Sequence, residues 1–282
     1  MTDIQENLHG VSRNIDRVLH RQYDREQQAI LDWLTPLDYY SQQNDFIARR
    51  QEGTGDWLVE SDEFQQWENN EKRILFCPGI PGAGKTMIAS IVVDHLFKKF
   101  RNDPGIGIAF LYCNFRQQKE QRLIDLFLNL LKQFSQGQPL RPECVTRLYK
   151  AHERHRTRPS FREISDALYT VIANCSRAFI IIDALDECSA TDRIISLFME
   201  ELFSLQAKTG SSVFATSRPI LGIPTEFQRR GSSILEIRAS LRDEDIGRYL
   251  DGHINQISTF VREAPGVEKK IKSAIVKAAD GM

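Results

Sequence analysis

Little in this sequence points outward. Lysine and arginine number 37 against 38 aspartates and glutamates, a net charge of -1 over 282 residues, so no general basic field is available to hold nucleic acid or anionic lipid. No apolar run reaches the roughly 20 residues that span a bilayer. Met1 leads into polar Thr2-Asp3-Ile4-Gln5-Glu6 rather than the apolar stretch of a secretory signal. The five cysteines, Cys77, Cys113, Cys144, Cys175 and Cys188, are odd in number, widely spaced and without a C-x-x-C pair. That pattern argues against a zinc site or a disulfide frame and predicts reduced thiols in a cytoplasmic protein. No repeat of roughly 30 to 45 residues is visible. An Asn-Lys-x-Asp element, which reads guanine in the common GTPases, is also missing.

What is present is a globular composition, 41% hydrophobic and 27% charged, in a chain long enough for one large domain or two of ordinary size. Within it Gly79-Ile80-Pro81-Gly82-Ala83-Gly84-Lys85-Thr86 satisfies every position of G-x-x-x-x-G-K-[ST]. Glycines 82 and 84 allow the backbone to curl with its N–H groups inward. Lys85 adds a point charge for the β- and γ-phosphates, the Thr86 hydroxyl suits magnesium, and a helix starting here directs its positive end at the anion. The context agrees: Arg73 to Cys77 is a short apolar run ended by Pro78, and Ile88, Ile91, Val92, His95 and Leu96 recur at helical spacing.

A second motif follows at Phe179-Ile180-Ile181-Ile182-Asp183-Ala184-Leu185-Asp186-Glu187. An apolar strand ending in a carboxylate puts Asp183 at the carboxyl edge of a parallel sheet, where ligands bind in open α/β folds. Magnesium needs an anionic partner there, and Asp186 or Glu187 is placed to orient or deprotonate an attacking water. Ser212 to Ser217 reads as another strand with Arg218 at its exit, suited to the γ-phosphate or to pairing with Asp186 or Glu187. Further strands are predicted at Ile106 to Phe115 and Ile234 to Ile237. Trp57, Phe64 and Trp67 supply either an adenine wall or core, with core favoured for Trp67. His152 and His155 stand three apart in a charged helix without a third metal ligand nearby.

At the amino end Leu8, Val11, Ile15 and Val18 alternate steps of four and three, an amphipathic linker helix or docking arm. Ala29, Ile30, Trp33 and Leu34 continue in helix until Pro36. Toward the other end Ser240 with Asp243 opens a helix through Ile246, Tyr249 and Leu250. Gly266 precedes a last one with Ile271, Ala274, Ile275 and Ala278.

Taken together, the phosphate loop, the Asp183 to Glu187 motif and Thr216-Ser217-Arg218-Pro219 resemble the NACHT class of signal-transduction NTPases, in particular the nephrocystin-type modules of fungal NOD-like receptors and ankyrin-repeat proteins. Gly53-Thr54-Gly55-Asp56-Trp57-Leu58 resembles the opening segment of that group. The resemblance implies an α/β P-loop NTPase fold, a five-stranded parallel sheet flanked by helices, with the strand ending at Thr216 between those carrying the phosphate loop and Asp183. It implies an N-terminal helical arm over 1–45, the NTPase domain over 46–239 and the start of a helical subdomain over 240–282. That subdomain would be truncated, since Gly281 falls where related domains carry a Gly-Leu-Pro-Leu type turn.

By the same resemblance the nucleotide is ATP or ADP with Mg2+, held by Gly79 to Thr86 together with Met87 and Trp57. Thr86 and Asp183 serve the metal. Lys85, Asp186, Glu187 and Arg218 serve slow hydrolysis, with Arg218 as sensor. The implied behaviour is a switch, closed with ADP and self-associated with ATP, linked to an upstream effector and downstream repeats absent from this chain. Neither nucleic acid nor membrane is an expected partner.

Overall fold

A computed structural model describes residues 25–117, 122–138, 142–189, 191–220, 222–237 and 245–251, with a few isolated positions beyond. The amino-terminal seam from Leu8 to Val18 lies outside the described residues. So do Ser240, Asp243, Gly281 and most of the last predicted helix.

Five parallel strands form one sheet: β1 (Ile74–Pro78), β2 (Ile106–Tyr112), β3 (Arg177–Asp183), β4 (Ser212–Ser217) and β5 (Ser233–Ile234). Their order is β2-β3-β4-β1-β5. All of β1 and β4, and all of β2 and β3 except their first residues, are buried. That is why they read as continuous apolar runs rather than alternating ones. Strand β4 lies between β3 and β1, with Cys77 opposite Thr216 and Ile182 opposite Ala215. The predicted fifth strand shortens to two residues, paired with Leu75 and Phe76.

Helices flank the sheet. The first, α1 (25–34), buries Ile30 and Leu34 and ends before Pro36. It is followed by α2 (Tyr39–Ala48), α3 (Asp56–Glu60) and α4 (Asp62–Asn69). Helix α4 starts at Ser61, whose hydroxyl accepts from the Phe64 N–H. It delivers Trp67 into the core, 1% exposed, with Nε1–H donating to the Val213 carbonyl at 2.9 Å. Trp67 and Phe64 are therefore core residues. Helix α5 (Lys85–Lys99) springs from the phosphate loop, and α6 (Leu123–Gln136), α7 (Glu143–Glu153) and α8 (Phe161–Ala173) follow β2. The capping box predicted at Ser160 and Glu163 opens α8. His152 bonds with Thr157 and Glu163, and no metal-holding cluster occurs among the described residues. Helix α9 (Asp192–Thr209) precedes β4, and α10 (Ile223–Arg229) precedes β5.

Two polar ties fasten this frame. Gln43 of α2 donates to the Ser90 carbonyl in α5 and accepts from the Tyr112 hydroxyl at the end of β2. Glu68 of α4 is wholly buried yet ionic, with His95 Nε2 at 2.7 Å and Lys99 Nζ at 2.9 Å. Burial opposes its ionisation, but the hydrogen bond with His95 and the ammonium of Lys99 beside it win and hold the carboxyl below the usual glutamate range. A carboxyl depressed by folding adds stability above its unfolded value and loses it as pH falls through the folded one. Glu68→Ala is expected to cost about 3 kcal/mol at neutral pH, and urea titrations should show that cost shrinking in acid. An equal cost at both ends of the pH range would show that the carboxylate charge is immaterial.

One expectation about the cysteines is corrected. Cys113 and Cys188 form a disulfide with 4.8 Å between Cα atoms, while Cys77, Cys144 and Cys175 are free. The pairing follows from sheet order: Tyr112 sits opposite Asp183, so the chain leaving β2 runs beside the chain leaving β3.

Candidate functional site

The site assembles where β1, β3 and β4 end side by side. At the end of β1 the Gly79 N–H donates to the Ser217 carbonyl of β4 at 3.0 Å, fixing the start of the phosphate loop to the sheet. Gly82 and Gly84 take φ of 74° and 87°, in the left-handed region that favours glycine. An added Cβ at either would meet nothing within 4 Å, so backbone conformation rather than crowding demands glycine. Helix α5 begins at Lys85, which directs its free N–H groups toward the loop. Lys85 Nζ donates to the carbonyls of Gly79 and Ile80, each at 2.9 Å. Burial pushes its ammonium below the ordinary lysine value, against the pull of Asp186 and Asp183.

Asp183 ends β3 and is 2% exposed. Burial raises its carboxyl, and the Thr216 hydrogen bond, the neighbouring Thr86 hydroxyl and the charge of Lys85 oppose that rise. Thr216 Oγ1 donates to Asp183 Oδ1 at 2.6 Å and accepts from the Ala184 N–H at 2.9 Å. A fully buried hydroxyl on β4 thus orients the acid of β3, a role that sequence reading did not assign to Thr216. Ala184 itself sits at φ 53°, turning the chain sharply so that Asp186 and Glu187 follow in one short turn of 3-10 helix.

These two acids part company. Asp186 is committed to Arg218: its Oδ1 accepts from the Arg218 backbone N–H at 2.9 Å and its Oδ2 from Nε at 2.5 Å. The Asp186 side chain is 1% exposed and that of Arg218 43%. Glu187 has looser company, with Oε2 3.5 Å from the Phe115 N–H. It lines, with Arg218, Met199 and Ile223, a cavity of about 880 Å³.

A second cavity, of about 490 Å³, adjoins the phosphate loop itself. Pro81, Gly82, Ala83, Gly84, Met87 and Trp57 all face it. Across it lies α11 (245–251), whose Asp245 accepts at one oxygen, Oδ2, from both the Gly55 N–H at 3.0 Å and Trp57 Nε1–H at 3.2 Å. Arg248 donates to the Gly53 carbonyl. Burial raises the Asp245 carboxyl, opposed by the Gly55 and Trp57 hydrogen bonds. Nothing in the charged run Arg242-Asp243-Glu244-Asp245 marks this residue out in sequence.

Comparison with known proteins decides the family. A profile of the family described as Nephrocystin 3, N-terminal matches residues 53–218. This chain belongs to that family. Its Nephrocystin 3 N-terminal segment therefore covers α3 through β4, with all three strand ends of the site, and the chain is a NACHT-type P-loop NTPase.

The vegetative incompatibility protein HET-E-1 of Podospora anserina is 25% identical over 235 residues, covering 80% of this chain. The chain spans only 17% of that relative's length. Among solved structures, the ORC1 protein of Aeropyrum pernix in complex with DNA is 14% identical over 80% of this chain and 53% of its own, with a TM-score of 0.44. AMPPCP-bound DnaA from Aquifex aeolicus is 14% identical over 82% and 64%, with a TM-score of 0.39. Likeness at that level adds nothing to the site. No helix among the described residues is long and apolar enough to cross a membrane.

Proposed function

We propose that this chain is the nucleotide module of a signal-transduction switch, binding ATP or ADP with Mg2+, hydrolysing ATP slowly and controlling conformation and self-association through the exchange. The observation that supports it most is the convergence at one sheet edge of the phosphate loop, whose Lys85 and Thr86 open α5, and the buried Asp183 at the end of β3, steadied by the Thr216 hydroxyl. Two hard oxygens from the phosphate loop and the sheet edge suit Mg2+, and both residues fit it here. Bound there, the ion would neutralise phosphate charge. Lys85 Nζ would exchange its two carbonyl contacts for phosphate oxygens, Glu187 would accept a proton from the attacking water, and Arg218, steadied by Asp186, would meet the γ-phosphate. Trp57 and Met87 would flank the base.

The reading extends to a cytoplasmic location, to the division at 1–45, 46–239 and 240–282, and to an effector and repeat domains elsewhere in a longer protein. Mg-ATP at a hundred times its dissociation constant should stabilise the fold by about 2.7 kcal/mol, or several degrees at roughly 2 to 4 °C per kcal/mol. Lys85→Ala should remove most of that shift in a thermal melt. An undiminished shift in the variant would reject the phosphate-loop role.

A further inference from the structure

The cavity beside the phosphate loop has one acid among the described residues that line it, Asp245. Most of its remaining surface is apolar, from Ile88, Ile91, Ile237, Ile246 and Leu250, which suits the faces of a flat aromatic base and says nothing about its edge. Asp245 can distinguish edges. Its Oδ2 is occupied twice, by the Gly55 N–H and by Trp57 Nε1–H, so the orientation of the carboxylate is pinned from the α3 side. An ionised carboxylate accepts at both oxygens and donates at neither.

The geometry points to Asp245 as the residue that reads the base, its Oδ1 accepting from an exocyclic amino group, so that the cavity takes 6-aminopurine nucleotides in preference to 6-oxopurine ones. The inference rests on the proposal that this cavity holds the nucleotide's base. A keto oxygen in the same place would set acceptor against acceptor and leave both without a hydrogen, a mismatch that rejects a ligand more strongly than a lost apolar contact does. The preference expected is about 10- to 100-fold, the range of one such hydrogen bond.

The same pinning makes the test sharp. In Asp245→Asn the amide oxygen must take the Oδ2 place, because the Gly55 and Trp57 N–H groups need an acceptor and Nδ2 is only a donor. Nδ2 then stands where Oδ1 stood, and a donor there favours a keto oxygen. Dissociation constants for Mg-ATP and Mg-ITP, which differ at the purine 6-position, are measured on the whole chain by titration calorimetry. Wild type should favour ATP, and Asp245→Asn should shift the ATP-to-ITP ratio at least tenfold toward ITP, partly through tighter ITP binding.

Asp245→Ala supplies a second reading, since it removes both roles. There the ratio should fall toward one, by loss of ATP affinity and relief of the acceptor–acceptor mismatch with ITP, without the further shift toward ITP that the asparagine donor gives. A ratio within twofold of wild type in either variant overturns the assignment while leaving the nucleotide site in place. Binding of neither nucleotide by wild type overturns the site itself and the assignment with it.

Discussion

Glu187→Gln is expected to lower ATP turnover about a thousandfold while leaving the Mg-ATP dissociation constant within about twofold of wild type. The ground for choosing Glu187 over its neighbour is occupancy. Asp186 already accepts from the Arg218 backbone and from its guanidinium, and a carboxylate held between two donors of one residue is poorly placed to take a proton from water. Among the described residues Glu187 accepts one weak hydrogen bond, from the Phe115 N–H at 3.5 Å, and it borders the larger of the two cavities. The amide of glutamine keeps the shape and loses the basicity, so binding and chemistry separate.

Asp186→Asn should act differently. It weakens a charge-assisted pair that positions Arg218, so its effect should appear as lost discrimination between ATP and ADP and as a lower melting temperature. Single-turnover measurements on both variants decide the matter. If Glu187→Gln turns over at the wild-type rate and Asp186→Asn does not, the roles are reversed.

Reduction of Cys113–Cys188 should destabilise the protein by about 4 kcal/mol, because in the chain-entropy account a bond closing a loop of this length restricts the unfolded chain by roughly that much. The two cysteines are 75 positions apart, and the closed segment contains α6, α7, α8 and β3. At roughly 2 to 4 °C per kcal/mol the melting temperature should fall by about 8 to 16 °C on addition of reductant. A double variant, Cys113→Ser with Cys188→Ser, should melt at the lower temperature and ignore reductant, since the other thiols are free in either case. Equal melting temperatures of the wild type with and without reductant would show that the bond adds nothing. Cys188 also borders an apolar cavity with Leu123, Phe161 and Leu197.

Much of this was legible in sequence, and the reason is local. Arg73 to Thr86 and Phe179 to Asp183 carry their own signals, an apolar run that can only be a buried strand followed by residues with one chemical use. What escaped depends on which strands are neighbours. The Thr216 hydroxyl on Asp183 and the Cys113–Cys188 bond join segments that meet only because β4 lies beside β3 and β2 lies on its other flank; the pairing of Arg218 was open in sequence between Asp186 and Glu187, and the same arrangement gives it to Asp186. The resemblance to NACHT modules placed β4 correctly, and composition alone did not. For the cysteines, odd number and wide spacing argued for free thiols, whereas their positions just past the ends of β2 and β3 were the informative feature. Asp245 had no signal at all, because one acid in a run of charged residues reads as a solvated surface.

The strand order also has a consequence for the growing chain. Strand β1, wholly buried and carrying the phosphate loop, pairs only with β4 and β5 among the described strands, and Ser212 is made about 130 positions after Pro78. At roughly 5 to 20 residues per second, the β4 edge of that strand waits on the order of 7 to 27 s for its partner and the β5 edge longer, while β2 and β3 have already met. The segment most needed for nucleotide is therefore the one longest open to wrong pairing during synthesis, and slower translation between these stretches lengthens that exposure.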